Sequence, residues 1–469
     1  MEDWIARIYP AADNASLTAN AIQGSQHHVL PSTHNIRQLL PYDSREPTPL
    51  PDEDDESQQG AEEPYVELRF SRPPSSPHGF LFGRNPQSEV VLPGIVGVSH
   101  FHFSITFDDE RRLIIKDLQS SVGTQVTYDG MGAGVRRGFS WIIGGDSHIL
   151  NAEINVMVRK GLQFRIVVAS HDMRSKQYMA CVDRYRRGQA LPQHLFETLE
   201  LKVRPDTERP TGVHTPKVGE VYLTKVIGHG AFAVVTQFWN VSTGGLHVVK
   251  TPLPKLVAQR KVDMDAWNNE IHIMKLISRK RHPHIVEFLG AKPDPYPEIS
   301  LEYIAGGSLD KYWDISTTES WTILQQCLLA LEYLHGHDPP IVHRDIKPAN
   351  ILVCDRRRGL IHVKLADFGL ARDYDNLSTI CGTRNYLAPE IYANDQYARN
   401  GGRDRQSYNA SADIWSLGVV VLELECRLPQ WQAKYGSLGT FWCEHILGTV
   451  NEHLRENPSE LGEFLLRKM

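Results

Sequence analysis

Apolar and polar positions alternate along much of the stretch between Tyr65 and about Ser170. Phe101, Phe103, Ile105 and Phe107 interleave with His102, Ser104 and Thr106, and Leu162, Phe164, Ile166 and Val168 repeat the pattern. A period of two marks half-buried strands. Asp129-Gly130 and Gly144-Gly145-Asp146 supply turns between them, so residues 65–170 predict an antiparallel β-sandwich. Beyond Val218 the pattern changes. Strands flank a glycine-rich turn, and then Ile323, Leu324, Cys327, Leu328, Leu331 and Leu334 recur with helical spacing. Strands first and helices later predict a two-part α+β domain over 218–469. Residues 1–64 hold few apolar positions among Pro, Ser, Asn and Gln and end in the acidic run Asp52 to Glu56, which predicts a disordered tail. Residues 171–217 are charged, end in a Pro-containing stretch and predict a linker with room for one short helix.

Composition narrows the classes without choosing among enzymes. A chain of 469 residues exceeds what one hydrophobic core supports, so two domains with tails are expected. The net charge of -6 offers no basic excess for a phosphate backbone, and nucleic acid is not an expected direct partner. Cys181, Cys327, Cys354, Cys381, Cys426 and Cys443 show no paired spacing, which argues against a zinc site or disulfide framework and for a reducing compartment. No secretory pattern opens the chain, and the longest apolar run, Ile414 to Cys426, contains Glu423 and Glu425. The expectation is no membrane partner and a place in the nucleus or cytoplasm.

Candidate chemistry gathers in the second domain. Phosphoryl transfer requires a cradle for phosphates, cations to offset charge, and a group that orients and deprotonates the attacking hydroxyl. Gly228-His229-Gly230-Ala231-Phe232-Ala233-Val234-Val235 lies between apolar strand residues, Val226 and Ile227 before it and Phe238 after, so its backbone amides are candidates to close over phosphates. Lys250 ends the strand-like His247-Val248-Val249, and Glu270, 20 residues on, opens a helical pattern through Ile271, Met274 and Ile277. The two are candidates for an ion pair. Downstream stand His343-Arg344-Asp345-Ile346-Lys347-Pro348-Ala349-Asn350 and Asp367-Phe368-Gly369.

In order and spacing these elements resemble the eukaryotic protein kinases, and Ala388-Pro389-Glu390 and Asp413-Ile414-Trp415-Ser416-Leu417-Gly418 extend the match. The resemblance implies a bilobal kinase fold that uses ATP and Mg2+. It gives Asp345 the role of catalytic base and Lys347 that of stabilising the transferred phosphoryl group, a lysine placed as in serine/threonine kinases. Asn350 and Asp367 would hold magnesium, as suits hard oxygen donors. Lys250, positioned by Glu270, would hold the α and β phosphates. Ile227, Gly228, His229, Gly230 and Val235 would line the nucleotide, and main-chain groups from Glu302 to Ile304 would read adenine, with Leu301 guarding the back pocket. Thr383 would hydrogen-bond Asp345 and Lys347, leaving Thr379, then Ser378, as the activation-segment phosphorylation site whose phosphate pairs with Arg344. Two departures stand out. Ala233 replaces the third glycine of the loop, and the chain stops before the family arginine that pairs with Glu390, so the kinase domain reads as short at its C-terminal end. A buried carboxylate without its partner costs about 3 to 5 kcal/mol.

The sandwich resembles the forkhead-associated (FHA) domain, a phosphothreonine reader. Gly83-Arg84 lies 15 residues before Ser99, His102 follows three further on, and Ser120-Ser121-Val122-Gly123-Thr124 comes after the next strand. The match implies that Arg84 and Ser99 contact phosphate, that His100 and Ser121 lie beside the peptide, and that His102 braces the loop. Val122 stands where the family has an asparagine whose amide contacts the peptide main chain, a contact an isopropyl group cannot make. The full arrangement, an all-β FHA sandwich followed by a bilobal kinase, resembles the checkpoint effector kinases of DNA-damage signalling. In that family upstream kinases act on Ser-Gln pairs, here Ser25-Gln26 and Ser57-Gln58. Expected partners are protein substrates with serine or threonine, phosphothreonine proteins, and a second copy in transient self-association. Two rivals stay open: a catalytically silent phosphoprotein-binding adaptor, and a kinase whose sandwich binds nothing.

Overall fold

The computed structural model describes residues 2–11, 15–29, 64–187, 219–293, 295–357, 359–373, 382–393, 409–426, 428, 429, 431 and 439–469. They form two compact units, one drawn mainly from residues before 188 and the other mainly from residues after 245. No helix among the described residues is long and apolar enough to cross a membrane.

The N-terminal unit is built from β1 (Trp4–Pro10), α1 (Ala15–Gln23), β2 (His28–Val29), β3 (Tyr65–Arg69), β4 (Phe80–Gly83), β5 (Val90–Val91), β6 (Phe103–Phe107), β7 (Leu113–Asp117), β8 (Gln125–Tyr128), β9 (Ser140–Ile142), β10 (Ile154–Arg159), β11 (Leu162–Val168) and α2 (Lys176–Arg187). Its two sheets run β2-β3-β1-β11-β10-β8 and β5-β4-β6-β7-β9. All pairs are antiparallel except β4 with β5. Stacked Phe82 and Phe103, with ring centroids 4.3 Å apart, meet the edge of Phe164 in the core.

Three expectations change here. Residues 4–11 and 15–29 are not a tail: β1 pairs Ala6 with Val168 and Ile8 with Val66, placing it between β3 and β11. Burial of Ile5, Ala6 and Ile8 stabilises that insertion, a short apolar cluster whose partners lie far along the chain. Residues 30–63 lie outside the described residues. The sandwich unit also extends past 170, because α2 buries Tyr178, Val182 and Tyr185 at spacings of four and three. Tyr178 meets Phe70 edge-on at 5.9 Å, and Tyr185 meets Phe107 at 5.3 Å. Finally, the polar face of β6 is buried as well, with His102 just before the strand and Ser104 within it. Leu81, paired directly with Ser104, clusters there with Phe101 and Leu118.

The C-terminal unit opens with the sheet β12-β13-β14-β16-β15, made of β12 (Tyr222–His229), β13 (Ala233–Asn240), β14 (Leu246–Pro252), β15 (Phe288–Lys292) and β16 (Glu298–Glu302). Helix α3 (Pro254–Ala258) and the longer α4 (Met264–Ile277) lie between β14 and β15 in sequence. Asp263 starts α4 by accepting the Ala266 N–H at 2.9 Å. The helical part begins with α5 (Thr317–His335), set by a reciprocal capping box of Ser316 and Glu319. Its predicted apolar face is buried except for Leu328, which is exposed. Two short antiparallel pairs follow, β17 (Ile341–Val342) with β20 (Arg372–Asp373) and β18 (Ile351–Arg357) with β19 (Leu360–Leu365). Helices Ser411–Cys426, Gly439–Glu456 and Glu460–Lys468 complete the unit. The architecture is the predicted one, strands first and helices after.

Candidate functional site

The glycine-rich turn between β12 and β13 closes through Gly230 N–H donating to the Ala233 carbonyl at 2.8 Å. Gly228 and Val235 are half-buried, whereas Ile227, His229 and Gly230 are exposed. Ala233 begins β13 and its methyl group joins Trp267, Ile271 and Ile299 in an apolar cluster. The substitution for glycine is accommodated because this residue has strand backbone and an apolar place for the extra carbon.

Lys250 follows the buried Val248 and Val249 on β14, and Glu270 lies on the α4 face that also buries Trp267, Ile271, Met274 and Ile277. The ammonium donates to Glu270 Oε1 at 2.7 Å and to Asp367 Oδ1 at 2.8 Å. It sits 5.7 Å from the centre of the Trp267 ring. Burial alone would depress the lysine pKa, but the Asp367 and Glu270 carboxylates outweigh it and the group lies above its ordinary value. Burial dominates at Glu270, whose carboxyl is pushed up despite the lysine. At Asp367 burial is outweighed by the lysine and the carboxyl is held below its usual range. Asp367 and Arg344 both have left-handed backbone, with φ of 62° and 70°. Neither is glycine, and such strain persists where surrounding contacts over-determine it.

The second group centres on Asp345. Its Oδ2 accepts Lys347 Nζ at 2.7 Å and Asn350 Nδ2 at 3.0 Å. Its Oδ1 accepts the Thr383 N–H at 3.0 Å and the Thr383 hydroxyl at 2.9 Å. Lys347 Nζ also donates to Thr383 Oγ1 at 2.9 Å, so one threonine ties the aspartate to the lysine. Asn350 connects this group to the first, since its carbonyl accepts the Ala366 N–H at 2.9 Å, one residue before Asp367. Gly382 makes the approach feasible: with φ of 101°, a side-chain carbon there would lie 2.5 Å from the Arg344 carbonyl oxygen.

In the segment expected to read adenine, Glu302 ends β16 with its carboxylate committed to Lys364 and to the Glu287 N–H. The Ile304 carbonyl accepts the Gly307 N–H at 3.2 Å. Thr379 and Ser378 lie outside the described residues. Glu390 is half-buried rather than buried, and Ser411 Oγ donates to it at 3.4 Å, so the penalty expected for a fully buried orphan carboxylate does not apply.

Sequence reasoning gave Asp413 no role, although it anchors the catalytic loop. Its buried carboxylate accepts the His343 N–H at 2.8 Å, the Arg344 N–H at 2.9 Å and the His335 ring at 2.9 Å. The available signal was a carboxylate next to a long apolar run, Val419 to Leu422, in the same helix, a position that demands partners once buried.

In the N-terminal unit, Arg84 N–H donates to the Ser99 carbonyl and Asn85 N–H to the His100 carbonyl, each at 3.0 Å. These bonds bring the two predicted loops together, with Arg84 and His100 exposed. Ser99 Oγ accepts the Ser121 N–H at 2.8 Å and lies 2.9 Å from Ser121 Oγ. Buried His102 braces the loops: Nδ1 accepts the Ser99 N–H at 3.2 Å, which leaves Nε2–H to donate to the Gly123 carbonyl at 3.1 Å. Burial lowers its pKa, in keeping with that neutral tautomer. Arg137, missed in the sequence, adds a cation here by donating to the Ser121 carbonyl. Ser25 is buried and donates to the Glu89 carbonyl at 2.7 Å, which removes it as an accessible phosphorylation site in the folded unit. Ser57 lies outside the described residues.

Compared with known proteins, residues 222–459 match the protein kinase domain and residues 80–132 match the FHA domain. The chain belongs to the protein kinase family, and its N-terminal sandwich is an FHA domain. It is 34% identical over 258 residues to mitogen-activated protein kinase kinase kinase 2 of Arabidopsis thaliana, covering 52% of this chain and 37% of that protein. It is 26% identical over 364 residues to serine/threonine-protein kinase RAD53 of Saccharomyces cerevisiae, covering 73% and 41%. A crystal structure of Rad53 1-466 in complex with AMP-PNP superposes with a TM-score of 0.52 at 23% identity, covering 82% of this chain and 85% of that one. The chain spans less than half the length of these two curated relatives.

Proposed function

We propose that the chain transfers the γ-phosphate of ATP to serine or threonine hydroxyls of proteins, with its FHA domain directing it to phosphothreonine-bearing partners. The observation that carries the first part is Lys347 Nζ held between Asp345 Oδ2 and Thr383 Oγ1. A carboxylate so fixed is oriented to take the proton of an attacking hydroxyl, and the adjacent ammonium offsets charge on the phosphoryl group being transferred. The hydroxyl oxygen bonds to the γ-phosphorus, the bond to the β-phosphate oxygen breaks, and ADP leaves. Lys250, held by Glu270, is placed to neutralise the α and β phosphates.

The donor set fits magnesium. Asn350 spends its amide hydrogens on Asp345, which leaves the amide oxygen as a ligand, and Asp367 engages Lys250 through Oδ1, which leaves Oδ2. Both are hard oxygen donors. Bound there, the ion would neutralise triphosphate charge.

For the FHA domain, exposed Arg84 beside Ser99 and Ser121 supports recognition of a phosphate. An FHA domain followed by a kinase domain, the arrangement that resembles checkpoint effector kinases, supports a place in DNA-damage checkpoint signalling, and transient self-association through the reader would favour phosphorylation in trans. Transfer of labelled phosphate from ATP to a generic basic protein tests the enzyme. Wild type transfers and Asp345→Asn does not; equal incorporation by the two would refute the assignment.

A further inference from the structure

One main-chain oxygen behind the candidate site of the C-terminal unit receives more donors than its own burial requires. Ala371 is fully buried, four residues after Asp367, and its N–H donates to the Phe368 carbonyl at 3.1 Å. Its carbonyl accepts Asn269 Nδ2 at 3.0 Å and Arg372 Nη1 at 2.8 Å. Asn269 lies inside α4, immediately before Glu270, whose carboxylate binds the same Lys250 ammonium that holds Asp367. Helix α4 therefore grips residues 367–371 at both ends, through Lys250 at Asp367 and through the Asn269 amide at Ala371. Arg372 opens β20, which pairs with β17 so that Val342 faces Arg372 and Ile341 faces Asp373. Strand β17 runs straight into His343, Arg344 and Asp345. A single side-chain amide thus joins the helix to the ladder that leads into the catalytic loop.

We propose that Asn269 is a positioning residue for phosphate transfer, fastening α4 to the Asp367 segment and, through β20 and β17, to the loop that carries Asp345. The proposal rests on the kinase reading above and adds a residue to it. Local preference does not account for an asparagine here, since its side chain favours caps and turns over a helix interior. Nor does the need to satisfy a buried carbonyl, because the Arg372 guanidinium already serves that oxygen. What the amide adds is a connection between elements 102 residues apart. It acts beside a residue whose geometry must be held: Asp367 has left-handed backbone, with φ of 62°, a conformation that persists only when its surroundings fix it. Asn269 is half-buried and Arg372 keeps the carbonyl satisfied, so losing the amide removes a link without leaving an orphaned polar group.

The test uses the full chain. Asn269→Leu keeps the branched outline and removes the amide, and Asn269→Asp keeps the shape and removes only the donor. Each should lower kcat for phosphate transfer to a generic basic protein about 5-fold, the rate equivalent of one hydrogen bond, with the KM for ATP within about 2-fold of wild type. Hydrogen exchange of the nucleotide-free proteins, read by mass spectrometry, gives an answer independent of catalysis. Amides of β17 and β20 should exchange about 5-fold faster in both variants, while those of α5 keep wild-type rates. Wild-type behaviour in either assay, a raised KM for ATP without a fall in kcat, or faster exchange spread evenly over the unit overturns the positioning role and leaves the kinase reading intact. Absence of transfer by the wild type overturns that reading, and this proposal with it.

Discussion

Replacing Asp413 with asparagine changes one oxygen into an amide and tests how the catalytic loop is held. The carboxylate accepts three hydrogen bonds: from the main chain of His343 and Arg344 and from the His335 ring. Asparagine keeps one acceptor oxygen. If it serves Arg344, the new NH2 group faces the His343 N–H, and two donors meet in a site that is 1% exposed. An orphaned buried donor costs about 1 to 3 kcal/mol, and the remaining bonds lose charge assistance, so the total is about 2 to 5 kcal/mol. A domain of this size loses roughly 2 to 4 °C per kcal/mol, which gives a fall of about 4 to 20 °C in its melting temperature. Because these amides immediately precede Asp345, a shift of about 1 Å in the base should also lower phosphate transfer about 100-fold. Calorimetry of the kinase transition and single-turnover transfer measure the two effects. His335→Gln, which touches only one of the three bonds, should lie between wild type and Asp413→Asn. A melting temperature within about 1 °C of wild type with transfer within about two-fold would refute the anchoring role.

Lys250→Met leaves Glu270 and Asp367 without their shared cation and should lower transfer by about 10² to 10³, read as incorporated phosphate at saturating ATP. Gly83→Ala places a carbon 2.1 Å from the His100 carbonyl oxygen, which should part the Arg84 and Ser99 loops, cost about 1 to 3 kcal/mol and abolish phosphopeptide retention; an unchanged melt and affinity would contradict it. Burial lowers the pKa of His102, as it does for His27, His78 and His171. The unfolded chain protonates near pH 6.5 while the folded unit resists, so this stability is complete above about pH 6.5 and is lost as pH falls toward the folded pKa values. The sandwich melting temperature should therefore drop between about pH 7.5 and 5.5, and a flat or rising profile would be inconsistent with neutral buried histidines.

The amino-acid order alone made both domains legible, along with the residues that the fold brings together at the candidate site. Asp345, Lys347 and Asn350 occupy one short loop, whose local backbone lets three side chains converge, while Lys250 and Glu270 before it and Asp367 after it lie at spacings set by strand and helix lengths. Alternation likewise exposed the strands of the sandwich, because a side chain's face depends only on position modulo two. What the chain order did not disclose depends on partners distant in sequence. Strand β1 exists because Ala6 meets Val168 and Ile8 meets Val66. Asp413 matters because His343 and Arg344, some seventy residues earlier, direct their amides at it. Ser25, polar and early in the chain, is buried against Glu89. Local pattern fixes which conformations each segment prefers, but only the packing of remote segments decides which polar group is shielded, which is satisfied, and which faces a ligand.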